Sequence, residues 1–163
     1  MATPIPKLIL DECEARLRNM TAANGYTRTV AGVRRATLKG FQNADLPMAN
    51  VWHGPDRLFE RAGGFAVRAL DILVEVYDQT RDRPFVDVAD ELALDVCMAL
   101  HRATDAPRVA DRPEQTLNGL CISLQLDSVA PQIGEGQAPW CGAMVTLTAL
   151  YRVRNDGYTP ATP

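Results

Sequence analysis

The stretch ALDILVEVYDQ, residues 69–79, places two carboxylates, Asp71 and Glu75, four positions apart in an apolar run. On a helix, residues four apart are neighbours, with about 5–6 Å between their Cβ atoms. On a strand they share a face but stand about 13 Å apart, at roughly 3.3 Å per residue. Carboxylate pairs that cleave glycosides lie about 5–9.5 Å apart. A helix would therefore permit an acid–base dyad here, and a strand would not.

The order of the apolar residues favours the strand. They recur at alternate positions, and three are branched at Cβ: Ala66, Leu70, Ile72, Val74 and Val76. Gly63-Gly64 precedes the run, and the proline of RDRP, residues 81–84, ends it. The sequence therefore predicts one long strand over residues 65–78, buried on one face and mixed on the other. Asp71 and Glu75 are then solvent or interface charges.

Length, composition and charge indicate one globular domain. A chain of 163 residues can bury about 70% of the surface that its unfolded form exposes. We expect a single domain over residues 1–163, with loose termini at about 1–4 and 155–163. The net charge of −3 argues against nucleic-acid binding by the chain as a whole. We find no apolar run of roughly 18 residues and no secretion signal, so we expect synthesis in the cytoplasm and no membrane partner.

Cysteine and histidine spacing predicts no metal site and no cofactor. The chain has four cysteines without a CxxC pair and two histidines: Cys13, Cys97, Cys121, Cys141, His53 and His101. Zinc sites need close ligand spacing, which is missing here, so we expect reduced structural thiols. Cys121 and Cys141 lie near the open ends of a predicted hairpin and could be close in space.

Three weaker candidates for chemistry remain. Cys97 and His101 are four residues apart on a predicted helix, His53 follows Trp52, and GEG at residues 134–136 is a bare glycine turn. A Cys–His pair needs a third orienting group, and a phosphate-binding glycine loop needs a helix after it. The sequence supplies neither, so we assign no catalytic, cofactor-binding or metal-binding residue and expect no enzyme.

The remaining elements complete an α+β pattern. We predict two helices, one over residues 5–22 and one from about Asp82–Asp87 to His101-Arg102. Strands are predicted over residues 26–38, 50–54, 118–128 and 142–153, and loops over 40–50 and 128–140. Residues 55–64 are expected to form an irregular connection or one helical turn. The stripe of the second helix is Val88, Leu92, Val96 and Leu100, helped by Ala89, Ala93 and Ala99. The fold expected is two helices on a mostly antiparallel sheet, covering one face or both.

Four stretches in this order resemble the tail terminator, or tail completion, proteins of tailed bacteriophages. The first helix ends in NGY and runs into a strand, LDILVEVYDQTRDRP leads into VADELALDVCMAL, and the last strand closes on LYRVRNDGYTP. The resemblance covers residues 5–158. It implies a non-enzymatic virion protein at the head–tail junction, where a ring, commonly of six subunits, caps the tail tube, ends its polymerisation and joins tail to head.

The partners implied by the resemblance are the protein itself, the tail tube protein and the head–tail connector proteins, with DNA passing through unbound. Alternatives are another connector, neck or tail-tube subunit, or a small ligand-binding or Cys/His enzyme domain using His53, Cys97 or the Asp71/Glu75 pair. For a ring we expect subunit contacts from the mixed face of residues 65–78 and from the 128–140 loop. Trp140 would be an aromatic anchor at the tip of that loop.

Overall fold

The computed structural model describes residues 3–37, 43–80, 82–101, 116–133 and 140–154. Within these ranges the elements are α1 (Ile5–Arg18), β1 (Gly32–Arg35), β2 (Met48–Ala62), β3 (Phe65–Gln79), α2 (Phe85–His101), β4 (Ser123–Ile133) and β5 (Trp140–Arg154). The strands form one sheet in the order β1-β2-β3-β5-β4. β1 is parallel to β2, and the other neighbouring pairs are antiparallel. The predicted α+β fold is confirmed.

The strand predicted over residues 65–78 is confirmed as β3, at the centre of the sheet. It pairs with β5 along its whole length, from Phe65 opposite Arg154 to Gln79 opposite Trp140. The five apolar residues predicted to face the core are all buried: Ala66, Leu70, Ile72, Val74 and Val76. The period-two pattern therefore identified both the strand and its buried face, because that face packs against the apolar core except at Arg68, which binds Asp56.

Both helices pack on this same side of the sheet. α1 lies against β1 and β2, and α2 lies against β3, β4 and β5. Their apolar stripes join the buried strand residues in one core, through Ile9, Cys13 and Leu17 of α1 and the predicted Val88, Leu92, Val96 and Leu100 of α2. A sheet covered by helices on both faces is therefore wrong for the described residues. The second face carries neither helix.

The first helix is shorter than the predicted range of 5–22. Asn19 closes α1, so the chain leaves the helix before Asn24-Gly25. The glycine, with a φ of 84°, instead ends a short 3-10 turn at Ala22–Asn24, because it tolerates the left-handed conformation. Met20, the last residue of the predicted stripe, is still fully buried.

The largest correction concerns residues 55–64, which are neither an irregular connection nor a helical turn. Residues 55–62 complete β2, a strand of 15 residues that begins at Met48, and residues 63–64 form the turn to β3. A register shift between His53 and Asp56 interrupts the alternation of side chains, and Pro55 lies within it. Proline is tolerated in a strand at such a bulge, where no ladder hydrogen bond needs its missing N–H.

The strand predicted over residues 26–38 is reduced to the four residues of β1, which pair in parallel with the start of β2. The predicted loop over 40–50 holds a 3-10 turn at Asn43–Asp45, and its last three residues belong to β2. The first error has a general cause. Threonine- and valine-rich composition indicates strand propensity, but pairing partners decide where a strand ends.

The last two strands lie closer together in sequence than predicted. β4 runs over Ser123–Ile133, so its start is later than the predicted 118–128 and its end lies well inside the predicted 128–140 loop. Residues 134–139 fall outside the described ranges. Pro131 belongs to β4, which it can do because β4 is an edge strand and one side of its backbone needs no partner.

Candidate functional site

The face of the sheet opposite the helices carries the mixed face predicted for residues 65–78. Residues that pair across an antiparallel ladder point to the same side, so Leu73 stands between Trp52 and Thr146. We call this surface the open face. It comprises Trp52, Asp71, Leu73, Glu75, Tyr77, Trp140, Met144, Thr146 and Thr148. All nine side chains are half-buried, although no helix of the described part covers them.

Aromatic residues and one carboxylate form the centre of the open face. The Trp52 indole N–H donates to Glu75 Oε2 at 2.6 Å, and Asn50 donates to the same oxygen at 3.4 Å. The rings of Tyr77 and Trp140 meet edge to face, with centroids 5.1 Å apart at 88°. Burial raises the pKa of Tyr77 to about 12, helped by the Glu75 charge and hydrogen bond. This cluster is therefore held in place before any partner binds.

The position of Trp140 corrects the sequence prediction. It is the first residue of β5, opposite Gln79, and not the tip of a loop. Its neighbour Tyr77 lies over Gly142: a Cβ there would stand 2.6 Å from Tyr77 Cδ1 and 2.2 Å from the Val76 carbonyl oxygen. Glycine is needed at this position because the Val76 carbonyl oxygen and the tyrosine ring leave no room for a Cβ.

Asp71 and Glu75 do not form an acid–base pair. Asp71 binds the Arg57 guanidinium through two hydrogen bonds of 2.5 and 2.8 Å and accepts one from Thr148 at 3.2 Å. Glu75 binds Trp52 instead. These separate partners agree with the prediction that the two carboxylates are not a dyad. Each carboxylate is, however, hydrogen-bonded to protein groups and not simply exposed to solvent. Arg57 and Trp52 belong to β2, whose full length the sequence did not reveal.

The other candidate groups are not brought together for chemistry. Burial raises the pKa of Cys97, while burial and the nearby Arg16 lower the pKa of His101. A Cys–His nucleophile needs a low thiol pKa, so both directions oppose it. His53 is exposed and adjoins Trp52 on a strand, where successive side chains point to opposite faces. The glycine turn at 134–136 lies outside the described residues.

All four cysteines are free. Cys141 pairs with Ile133 at one end of the β4–β5 ladder, whereas Cys121 precedes the other end, where Ser123 pairs with Leu150. Nine residues of strand separate these ends by roughly 30 Å, so the suggestion that Cys121 and Cys141 are close is wrong. Burial raises the pKa of Cys121 to about 12, which makes it an unreactive thiol.

One buried polar cluster was missed by the sequence reasoning. Tyr151 is 1% exposed, and its hydroxyl donates to Asp56 Oδ2 at 2.7 Å. Arg68 Nε donates to the other oxygen at 3.0 Å. Burial, followed by the Asp56 hydrogen bond, raises the pKa of Tyr151. The three groups satisfy one another, so the cluster links β2, β3 and β5 near the middle of the β2–β3 ladder. No sequence signal marks it, because its members come from three strands.

Within the described ranges, no group of three or more His, Cys, Asp or Glu side chains is placed to hold a metal ion. Neither helix in this part of the chain has the length and apolar character needed to cross a membrane. Comparison of the chain with protein-family models and with curated proteins yields no match.

Proposed function

We propose that this protein is a structural subunit of a tailed-phage particle: a tail terminator that forms a ring, caps the tail tube, ends its polymerisation and joins tail to head. The observation that carries the proposal is the open face. Its centre is aromatic, with Trp52, Tyr77 and Trp140 beside Leu73 and Met144. Aromatic residues and methionine are enriched in protein–protein interfaces, and a large apolar patch on a surface is typical of a binding site.

The resemblance in element order supplies the particular role. It concerns the first helix, the long central strand, the second helix and the last strand, which correspond to α1, β3, α2 and β5. The net charge of −3 suits a ring that lets DNA pass without binding it. The protein would reside in the virion at the head–tail junction, with the tail tube and connector proteins as partners.

Another connector, neck or tail-tube subunit would use the same surface, so this alternative differs in position along the tail and not in chemistry. The enzyme alternative draws less support. Asp71 and Glu75 have separate partners, and the pKa directions of Cys97 and His101 oppose a nucleophile.

Electron microscopy of tails assembled with and without the protein tests the proposal. We expect tails of uncontrolled length, unattached to heads, when it is missing. Thr146→Arg places a long side chain at the centre of the open face and should have the same effect, because its bulk would hold a partner away from that face. Thr146 is half-buried and opposite Leu73, so a long side chain can extend outward from it.

The matched control is Ala15→Arg, at an exposed position of α1. It adds the same charge and should leave tails normal. Normal tails in the absence of the protein contradict the proposal. Normal tails with Thr146→Arg would mean that the open face makes no contact needed for assembly, although the protein could still act as a tail terminator.

A further inference from the structure

The β2–β3 hairpin extends beyond the helices and leaves a groove on the helix side of the sheet. The groove is a cleft of about 490 Å³, which we call the hairpin groove, lined by Leu58, Arg61, Ala66, Arg68, Val153 and Arg154. Ala66 and Val153 belong to the hydrophobic core, so its apolar surface continues into the groove. A smaller cleft, where α1 begins, adjoins it through Arg68 and Val153.

The hairpin groove is basic and has an apolar rim. Arg61 and Arg154 are exposed, and no ion pair joins Arg61 to another residue in the described part of the chain. Arg68 is held by Asp56. Leu58, which lines the groove, is 47% exposed. The groove thus offers cationic groups beside uncovered apolar surface, a combination that fits an acidic and apolar partner.

A surface of that kind lies on α2. Val86, Asp87, Asp90 and Leu94 are exposed and follow one another at helical spacing on one side of the helix. We call them the α2 face. Leu94 is 58% exposed. Neither Asp87 nor Asp90 forms an ion pair with any residue of the described ranges, whereas the neighbouring Glu91 binds Arg83. The α2 face is therefore acidic and apolar where the groove is basic and apolar.

The two surfaces lie at opposite ends of the molecule. The groove is at the Phe65 end of β3, while α2 begins six residues after the other end, Gln79. Fourteen residue steps of a strand span roughly 46 Å. One copy cannot bring the two surfaces together, so their complementarity can be satisfied only between copies.

We propose that the α2 face of one copy docks in the hairpin groove of the next. The inference rests on the proposed function, because it names the contact that builds the ring. Asp87 and Asp90 would meet Arg61, and Leu94 would contact Leu58 in the groove. Such a head-to-tail contact is heterologous, and it generates a ring when the rotation closes. Two grooves facing each other would place arginines against arginines, which disfavours the symmetric alternative.

Charge reversal on each side tests the contact. Arg61→Glu disables the groove and Asp90→Arg disables the α2 face. Each variant alone should be monomeric, because like charges now meet and the dissociation constant rises by about tenfold or more. A 1:1 mixture should recover a ring in which the two variants alternate, since the unchanged α2 face of one variant meets the unchanged groove of the other, and the two reversed surfaces also carry opposite charges. The variant with both changes in one chain should recover the ring.

The control is Arg18→Glu, the same charge change on an exposed part of α1, which should keep the wild-type mass. Circular dichroism and thermal unfolding check that each variant folds, and Arg61→Gln with Asp90→Asn repeat the test with milder changes. If both single charge-reversal variants keep the wild-type mass, or if their mixture stays monomeric, the proposed contact is refuted. The proposal that the protein forms a ring is not refuted by either result. A wild-type protein that is monomeric at every concentration overturns both proposals.

Discussion

Asp95 of α2 fastens the segment after α1 to the helix layer, and its removal should cost a defined amount of stability. Its side chain is 1% exposed and accepts hydrogen bonds from the backbone N–H groups of Thr27 at 3.0 Å and Arg28 at 2.9 Å. The Arg28 side chain is held separately, by Asp78 at 3.4 Å and Glu91 at 3.3 Å. Asp95→Ala therefore removes the acceptor of two amides and leaves the neighbouring ion pairs in place.

The magnitude follows from those two hydrogen bonds. A hydrogen bond to a charged group contributes about 1.5–3 kcal/mol. Thr27 is exposed, so water can bind its amide once the carboxylate is gone. We therefore expect Asp95→Ala to lower the free energy of unfolding by about 2–4 kcal/mol and not by twice the single-bond figure. Asp95→Asn keeps one acceptor oxygen and should lose about 1–2 kcal/mol.

Urea unfolding followed by tryptophan fluorescence measures these losses as shifts of the midpoint at an unchanged slope. The control is Arg18→Ala, an exposed residue of α1 outside the proposed contact, whose surface ion pair with Glu14 should contribute no more than about 0.5 kcal/mol. If Asp95→Ala behaved like this control, the segment after α1 would be held by other contacts and the reasoning from two bound amides would be refuted.

Three further substitutions have defined outcomes. Gly142→Ala should destabilise the fold by about 2 kcal/mol or more in thermal unfolding, since its Cβ would stand 2.2 Å from the Val76 carbonyl oxygen. The control is Gly32→Ala, which should be tolerated because a Cβ at Gly32 has nothing within 4 Å. Tyr151→Phe should lower the free energy of unfolding by about 1–2 kcal/mol in urea, because it leaves a buried acceptor without its donor; an unchanged midpoint would mean that water replaces the hydroxyl. Burial lowers the pKa of His101 below 6.5, so the unfolded chain binds a proton more readily and stability should fall as the pH drops through 6.5. His101→Gln should flatten this part of the stability–pH curve, and an equally steep curve would assign the effect to another group.

The sequence predicted the elements whose pattern is complete within the chain itself. The strand over residues 65–78 alternates regularly from Leu70 onward, with Arg68 as the one polar residue on its buried face, so period and burial agree over most of its length. The stripe of α2 recurs every four residues and is fully buried. β2 could not be predicted in full, because its register shift and Pro55 remove the period and only the ladder with β3 defines it.

The candidate site was predicted in part for the same reason. The mixed face of β3 was visible as a pattern, but the partners that arrange it belong to other strands. Trp52 reaches Glu75 from β2, and Trp140 meets Tyr77 from β5. Contacts between residues of different strands cannot be predicted from the spacing of residues within one segment. Part of the predicted 128–140 loop belongs to strands: β4 continues to Ile133, because an edge strand accommodates Pro131, and β5 begins at Trp140.

The molar mass of the purified protein at rising concentration tests the central claim most directly. Multi-angle light scattering should show a closed assembly, with a mass that reaches a plateau at six times the 17.9 kDa of one subunit and then stays constant. A mass of one subunit at every concentration would contradict the account, and so would a mass that grows without limit, because neither describes a ring.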